Sequence, residues 1–138
     1  MSLVIIPFHV NHIELMTVQP AQRDELRASP PAAFGAAWTA VADGLPIAAA
    51  GLVDVWPGRA YAWALLGDDV GRWFVSVHRA VLRALERSAA RRIEMAVDAD
   101  FAAGARWAEM LGFARETPEP MQAYLPTGRP AYLYARVH

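Results

Sequence analysis

Acid–base chemistry at neutral pH needs a carboxylate, a histidine or a phenol held where the reacting proton will be. This chain of 138 residues offers few groups of each kind. Three carboxylates fall, by position alone, on segments that read as central strands: Asp54, Glu94 and Asp98. Each reads more simply as a charge at a strand end or on a solvent face. Tyr124, Tyr132 and Tyr134 are the candidate proton donors near the C-terminus, and the period-two spacing of the last two puts both on one sheet face. His9 and His12 stand at i, i+3 with no third ligand close by, so no metal site is expected. His78 falls near the apolar side of a helix and reads as a packed histidine. None of the four serines sits in a nucleophile-elbow context. The chain has no cysteine, which removes disulfides, thiolate metal sites and thiol nucleophiles together.

The composition narrows the class further. A 55% hydrophobic content at this length suits a single domain, residues 1–138, whose apolar core needs no covalent staples. A formal net charge of −1 gives no field that would gather nucleic acid, so nucleic acid is not expected as a partner. Arg79, Arg83 and Arg87 recur every fourth residue and continue to Arg91 and Arg92; with Glu86 and Glu94 interspersed they read as a solvated helix face, or else as a surface for an acidic partner. The opening MSLVIIPFHV lacks a basic leader and its apolar run is cut at Pro7, far short of the ~20 residues of a membrane span. A soluble, cytoplasmic protein without membrane contact is the expectation.

The elements that must position these groups follow from periodicity and turn chemistry. Leu3–Ile6 reads as a short strand ended by Pro7. His12–Val18 reads as a short helix, with Asn11 and Glu14 at capping-box spacing, although its content also suits a strand. Pro20 opens a second helix running to Ser29, and Ser29-Pro30-Pro31 restarts the chain. Trp38–Val41 and Ile47–Val55 flank Asp43-Gly44 as a hairpin, and Ala60–Leu66 adds a third antiparallel strand stopped at Gly67. From Val70 to Ser88 the apolar residues Phe74, Val77, Val81, Leu82 and Leu85 keep a 3.6-residue period, the mark of the main amphipathic helix. Ile93–Val97 alternates as a strand, Phe101–Leu111 is a helix with Gly112 as its C-cap, and Phe113–Thr117 and Ala131–Val137 close as strands. A strand–helix–strand unit from Tyr61 to Val97 makes its two strands parallel neighbours. The fold class is therefore α/β (α+β): a mixed, mostly antiparallel sheet of about six or seven strands with helices on both faces.

That order resembles the Gcn5-related N-acetyltransferases, the GNAT fold. Arg92–Asp98 followed by Ala105–Leu111-Gly-Phe113 is similar to the family's fifth strand and the helix after it. Within that fold the chain is most similar to small phage and prophage proteins of the internal virion protein A type. The residues that carry this likeness are Trp63-Ala-Leu-Leu-Gly67, Val97-Asp98, Arg106-Trp107, Leu111-Gly-Phe113, and a C-terminal run from Met121 through Tyr124 and Arg129 to Arg136.

The resemblance implies an acetyl-CoA-dependent N-acetyltransferase acting on a small-molecule or protein amine. It equally implies a non-catalytic relative, associated with phage structural proteins or a virion; homo-oligomerisation is left open. It places cofactor contacts on Leu65, Leu66 and Gly67, where the fourth and fifth strands splay, and on Gly71 and Arg72 in the turn that precedes the long helix. In that turn, Asp68-Asp69-Val70-Gly71-Arg72-Trp73, a single glycine survives. Aspartate holds the position of a leading basic or amide residue, and Trp73 holds that of a final small one, so the phosphate turn reads as degenerate. The two carboxylates are expected to cap the helix. The tyrosine that would protonate a departing thiolate falls on Ala108, which has no proton to give. Asp54, Glu94 and Tyr124 remain the candidates for acid–base work, and Trp107 and Phe113 are expected in the core.

Overall fold

A computed structural model describes residues 2–20, 22–23 and 36–138. Its strands are β1 (Leu3–Pro7), β2 (Ala36–Ala42), β3 (Leu45–Trp56), β4 (Arg59–Leu66), β5 (Arg92–Asp98), β6 (Ala114–Arg115) and β7 (Ala131–Val137). Its helices are α1 (Asn11–Glu14), α2 (Phe74–Arg87) and α3 (Ala102–Met110), with a 3₁₀ turn over Gly71–Trp73 leading into α2. The strands form one seven-stranded sheet in the order β1-β2-β3-β4-β5-β7-β6. Every pairing is antiparallel except β4 with β5. Among the described residues, no helix is long and apolar enough to cross a membrane.

Local chemistry accounts for most of these elements. Asp43 (φ 52°) and Gly44 (φ 79°) both adopt the left-handed region that a two-residue hairpin turn requires, and they join β2 to β3 as expected. Strand alternation then sorts the side chains. Ala60, Ile93 and Val97 join Leu85 of α2 and Trp107, Ala108 and Leu111 of α3 in the main core, with Phe113 and Tyr134 beside them. The opposite face puts Leu65 and Trp63 against Ile13, Met16 and Val18. Helices thus cover both faces. Trp107 is 8% and Phe113 4% exposed, so both are core residues as expected.

Four local expectations are corrected. The helix expected from Val70 begins as the 3₁₀ turn, and α2 proper starts at Phe74. The Asn11/Glu14 capping box does not form: α1 is capped at Val10 without a side-chain bond, and the Asn11 amide donates instead to His9 Nδ1 at 3.1 Å. The helix expected through Val18 stops at Glu14, because Val18 forms an antiparallel bridge to Gly67. The strand expected over Phe113–Thr117 is a strand only at Ala114–Arg115, with one further backbone bond to β7 from the Glu116 amide. The second helix expected from Pro20 to Ser29 and the restart at Ser29-Pro30-Pro31 fall mostly or wholly outside the described residues.

Candidate functional site

β4 and β5 run parallel for three residue pairs only, Arg59–Arg92, Ala60–Ile93 and Tyr61–Glu94, and then part. The sheet therefore has a V in its middle, closed at the start of β4 and open at Leu65, Leu66 and Gly67. An open V exposes backbone donors and acceptors that a ladder would otherwise use, and buried ones need partners.

On the β4 side those partners come from the segment after α1. The side-chain amide of Gln22 donates to the Ala64 carbonyl at 2.7 Å, while its oxygen accepts the Leu66 amide at 3.0 Å. The Gln19 amide donates to the Leu66 carbonyl at 2.9 Å, and the Asp68 amide donates to Thr17 O at 2.8 Å. On the β5 side the hydroxyl of Tyr61 accepts the Ala96 amide at 3.2 Å. Gly67 turns inward instead and donates to Ile47 O at 2.7 Å. A β-carbon at Gly67 would lie 2.9 Å from that carbonyl and 2.8 Å from Asp69 Oδ1, so only glycine fits the approach.

The turn at the start of α2 is open on its outer side. Gly71 and Arg72 are exposed, a β-carbon at Gly71 would meet nothing within 4 Å, and the amides of both residues have no partner among the described residues. The Arg72 guanidinium lies over the Trp73 ring at 5.1 Å, and Trp73 itself leans on the apolar cluster containing Ala40, Val70 and Val77. The expected caps are absent: neither the 3₁₀ turn nor α2 has a side-chain cap. The intervening 3₁₀ turn carries the first free helical amides away from Asp68 and Asp69. Asp68 instead pairs with Arg23 at 3.2 Å, and Arg23 also donates to the Val18 carbonyl at 2.9 Å.

The candidate acid–base groups fall elsewhere. Glu94 is 6% exposed and sits at the closed end of the V. One of its oxygens accepts from Arg59 at 2.6 Å and the other from Arg92, which also holds Glu116. The Arg59 hydrogen bond, with that of Arg92, holds the Glu94 carboxyl below its ordinary range against the opposing effect of burial. This is a buried ion-pair hub in which both carboxylate oxygens are engaged by arginine. Asp54 stands in register with Ala60, at the same closed end, and is exposed. Asp98 is clasped by Arg129 at 2.7 and 3.1 Å, and that clasp lowers its pKa. Tyr124 is 45% exposed, in the loop that returns through Ala131 opposite Asp98, at the open end. Tyr134 is 3% exposed and burial raises its pKa, so its phenol keeps its proton. Tyr132 lies under the Arg115 guanidinium at 4.5 Å. His78 is half-buried and accepts the Trp107 indole N–H at 3.1 Å, tying α2 to α3. Ala108 is 1% exposed. Among the described residues no three metal-ligating side chains gather.

The structure thus brings Leu65, Leu66, Gly67, Gly71 and Arg72 to one end of the sheet with the Tyr124 loop, and places Asp54 and Glu94 at the other. Gln19, Gln22, Arg23 and Tyr61 join this site without having been anticipated. Gln22 reaches its strand partner across 44 residues of sequence, and no local pattern marks such a contact.

Solved structures share this architecture. Ard1 from Thermoplasma volcanium aligns over 99% of this chain and 98% of its own with a TM-score of 0.72 at 15% identity. The fold is that of the GNAT acetyltransferases. The ribosomal-protein-S18-alanine N-acetyltransferase from Escherichia coli shares the GNAT architecture at a TM-score of 0.71 and 16% identity, over 99% of this chain and 94% of that one. An IAA acetyltransferase from Bacillus cereus gives 0.72 and 13%, over 99% and 100%. Identity this low speaks for the GNAT fold alone. No protein-family profile and no curated protein sequence matches the chain.

Proposed function

We propose that this chain is an acetyl-CoA-dependent N-acetyltransferase whose acceptor is a small-molecule or protein amine. One observation carries the reading: the β4 edge in the open V already seats an amide, the side chain of Gln22, on Ala64 O and Leu66 N. An edge that holds one amide fits the amides of a pantetheine arm. The amides of Gly71 and Arg72, without a partner among the described residues, and the Arg72 guanidinium beside them would receive the pyrophosphate.

When bound, acetyl-CoA supplies a thioester whose acyl carbon is open to attack by a neutral amine. The chain's own part is to hold and orient it. Glu94 is locked, and Ala108 carries no proton. Of the acid–base candidates Asp54, Glu94 and Tyr124, only Tyr124 stands at the open end, where its phenol would be the group placed to pass the proton lost by the amine nitrogen to the leaving sulfur.

A second reading, a non-catalytic protein of phage or prophage type that serves in assembly or binding, draws on the same V. Its β4 and β5 edges are satisfied from within, by Gln22, Gln19 and Tyr61. The test is thiol release from acetyl-CoA in the presence of small amines and of peptides with free α-amino groups. The protein contributes no background because it has no cysteine. Amine-dependent release with formation of the N-acetyl product is the expected result; binding without turnover on any amine selects the second reading.

A further inference from the structure

We infer that Gln22 is a built-in competitor for the ligand edge of β4, so that an acyl-CoA must displace it to bind. The inference rests on the acyl-CoA reading above for the ligand, and on the structure's own hydrogen bonds for the competitor. A primary amide that donates to Ala64 O and accepts from Leu66 N engages the same donor–acceptor pair that a ligand amide would use. The Gln19 amide donates to the Leu66 carbonyl on the same edge at 2.9 Å. Simultaneous occupation is excluded by hydrogen-bond capacity, since one amide hydrogen serves one strong acceptor.

Among the described residues the segment is anchored at its start and held more lightly beyond it. Met16 and Val18 are buried at 9% and 5% exposure, and Val18 is bridged to Gly67. Beyond them, Gln19 and Gln22 are only half-buried and Pro20 is exposed. Among the described residues the closing contact is the Arg23–Asp68 ion pair, whose side chains are 43% and 45% exposed, a solvated pair of small strength. Neutral hydrogen bonds backed by a solvated ion pair open locally at low cost compared with global unfolding. The released part then begins after Val18 and carries Gln22 off the strand, leaving the apolar anchor in place.

Gln22→Ala tests this by two readouts. Amide hydrogen exchange followed by NMR should show the Leu66 amide exchanging at least about tenfold faster in Gln22→Ala, with the β3–β4 ladder unchanged. Calorimetric titration should show acetyl-CoA binding about tenfold more tightly to Gln22→Ala than to the parent protein, the gain expected when the competent state no longer has to be released. Gln22→Glu, which keeps the acceptor and loses the donor, should fall between the two. Equal or weaker binding by Gln22→Ala, with its fold intact by circular dichroism, overturns the competitor and leaves the acyl-CoA reading standing. A Leu66 amide that is no faster in Gln22→Ala also overturns it. Faster Leu66 exchange with no acetyl-CoA binding by either protein at millimolar concentration upholds Gln22 as the occupant of the edge and overturns the acyl-CoA reading.

Discussion

The two ends of the β4–β5 pair are held in opposite ways. At the closed end charge does the work: Glu94 lies between Arg59 and Arg92, Arg92 continues to Glu116, and Arg59 also covers the Trp56 ring at 4.6 Å. At the open end a carboxamide, a phenol and two backbone amides stand in place of a ladder, and the ion pairs there, Arg23–Asp68 and Arg129–Asp98, rest on arginines that are more than two-fifths exposed. Charge-assisted bonds around a buried carboxylate are strong and costly to break. Neutral bonds to a strand edge are individually weak and exchange readily for a ligand's. The pair is thus a hinge-free wedge: clamped where it must not open, lightly filled where something else can enter.

Removing the clamp has the largest expected effect. Glu94→Ala leaves Arg59 and Arg92 facing each other, and because each is about one third exposed solvent relieves part of the cost. A loss of about 2–3 kcal/mol in urea denaturation is expected; a loss below 0.5 kcal/mol, on the order of a surface change, would mean the charges are idle.

The ion-paired carboxylates at both ends set an acid response. Glu94 and Asp98 are both lowered on folding, Glu94 chiefly by Arg59 and Asp98 chiefly by Arg129. A lowered carboxylate contributes stability that is present well above its unfolded value and is lost as pH falls through its folded one. Stability should therefore be flat above the ordinary values of 4.5 and 3.8 and fall below them. Glu94→Gln should flatten the part of that slope owed to Glu94, measured as midpoint against pH.

At the open end the effects shrink. Gly67→Ala brings a β-carbon against the Ile47 carbonyl and should cost about 1–3 kcal/mol, while Gly71→Ala, in open space, should cost little. Tyr61→Phe leaves the Ala96 amide without its acceptor and should cost about 1 kcal/mol. If Tyr61→Phe proved as costly as Glu94→Ala, the contrast between the ends would collapse.

What was legible in the sequence tracks how local its cause is. The Asp43-Gly44 hairpin, the apolar period of Phe74–Leu85 and the parallel crossover into Ile93–Val97 depend on neighbours in the chain, and the structure has each. The splay is legible only through resemblance, because nothing in Ala60–Leu66 itself says where pairing will stop. The failures share a cause. Asp68 and Asp69 read as caps, yet Asp68 pairs with Arg23, 45 residues earlier. Glu94 reads as a charge at a strand end or on a solvent face, with acid–base work as the alternative, yet it is buried and its oxygens answer to Arg59 and Arg92, of which Arg59 is 35 residues away. Gln22 carries no signature at all, being an ordinary polar residue until the strand edge it fills is in view.

The central claim is that the open end of the V is a ligand edge and the closed end is not. Acetyl-CoA titrated into uniformly ¹⁵N-labelled protein tests it most directly. The expected result is saturable shifts of the Leu66, Gly67, Gly71 and Arg72 amides, with Arg59 and Glu94 unmoved. Shifts confined to the Arg59–Glu94 end, or no shift at millimolar acetyl-CoA, would contradict it.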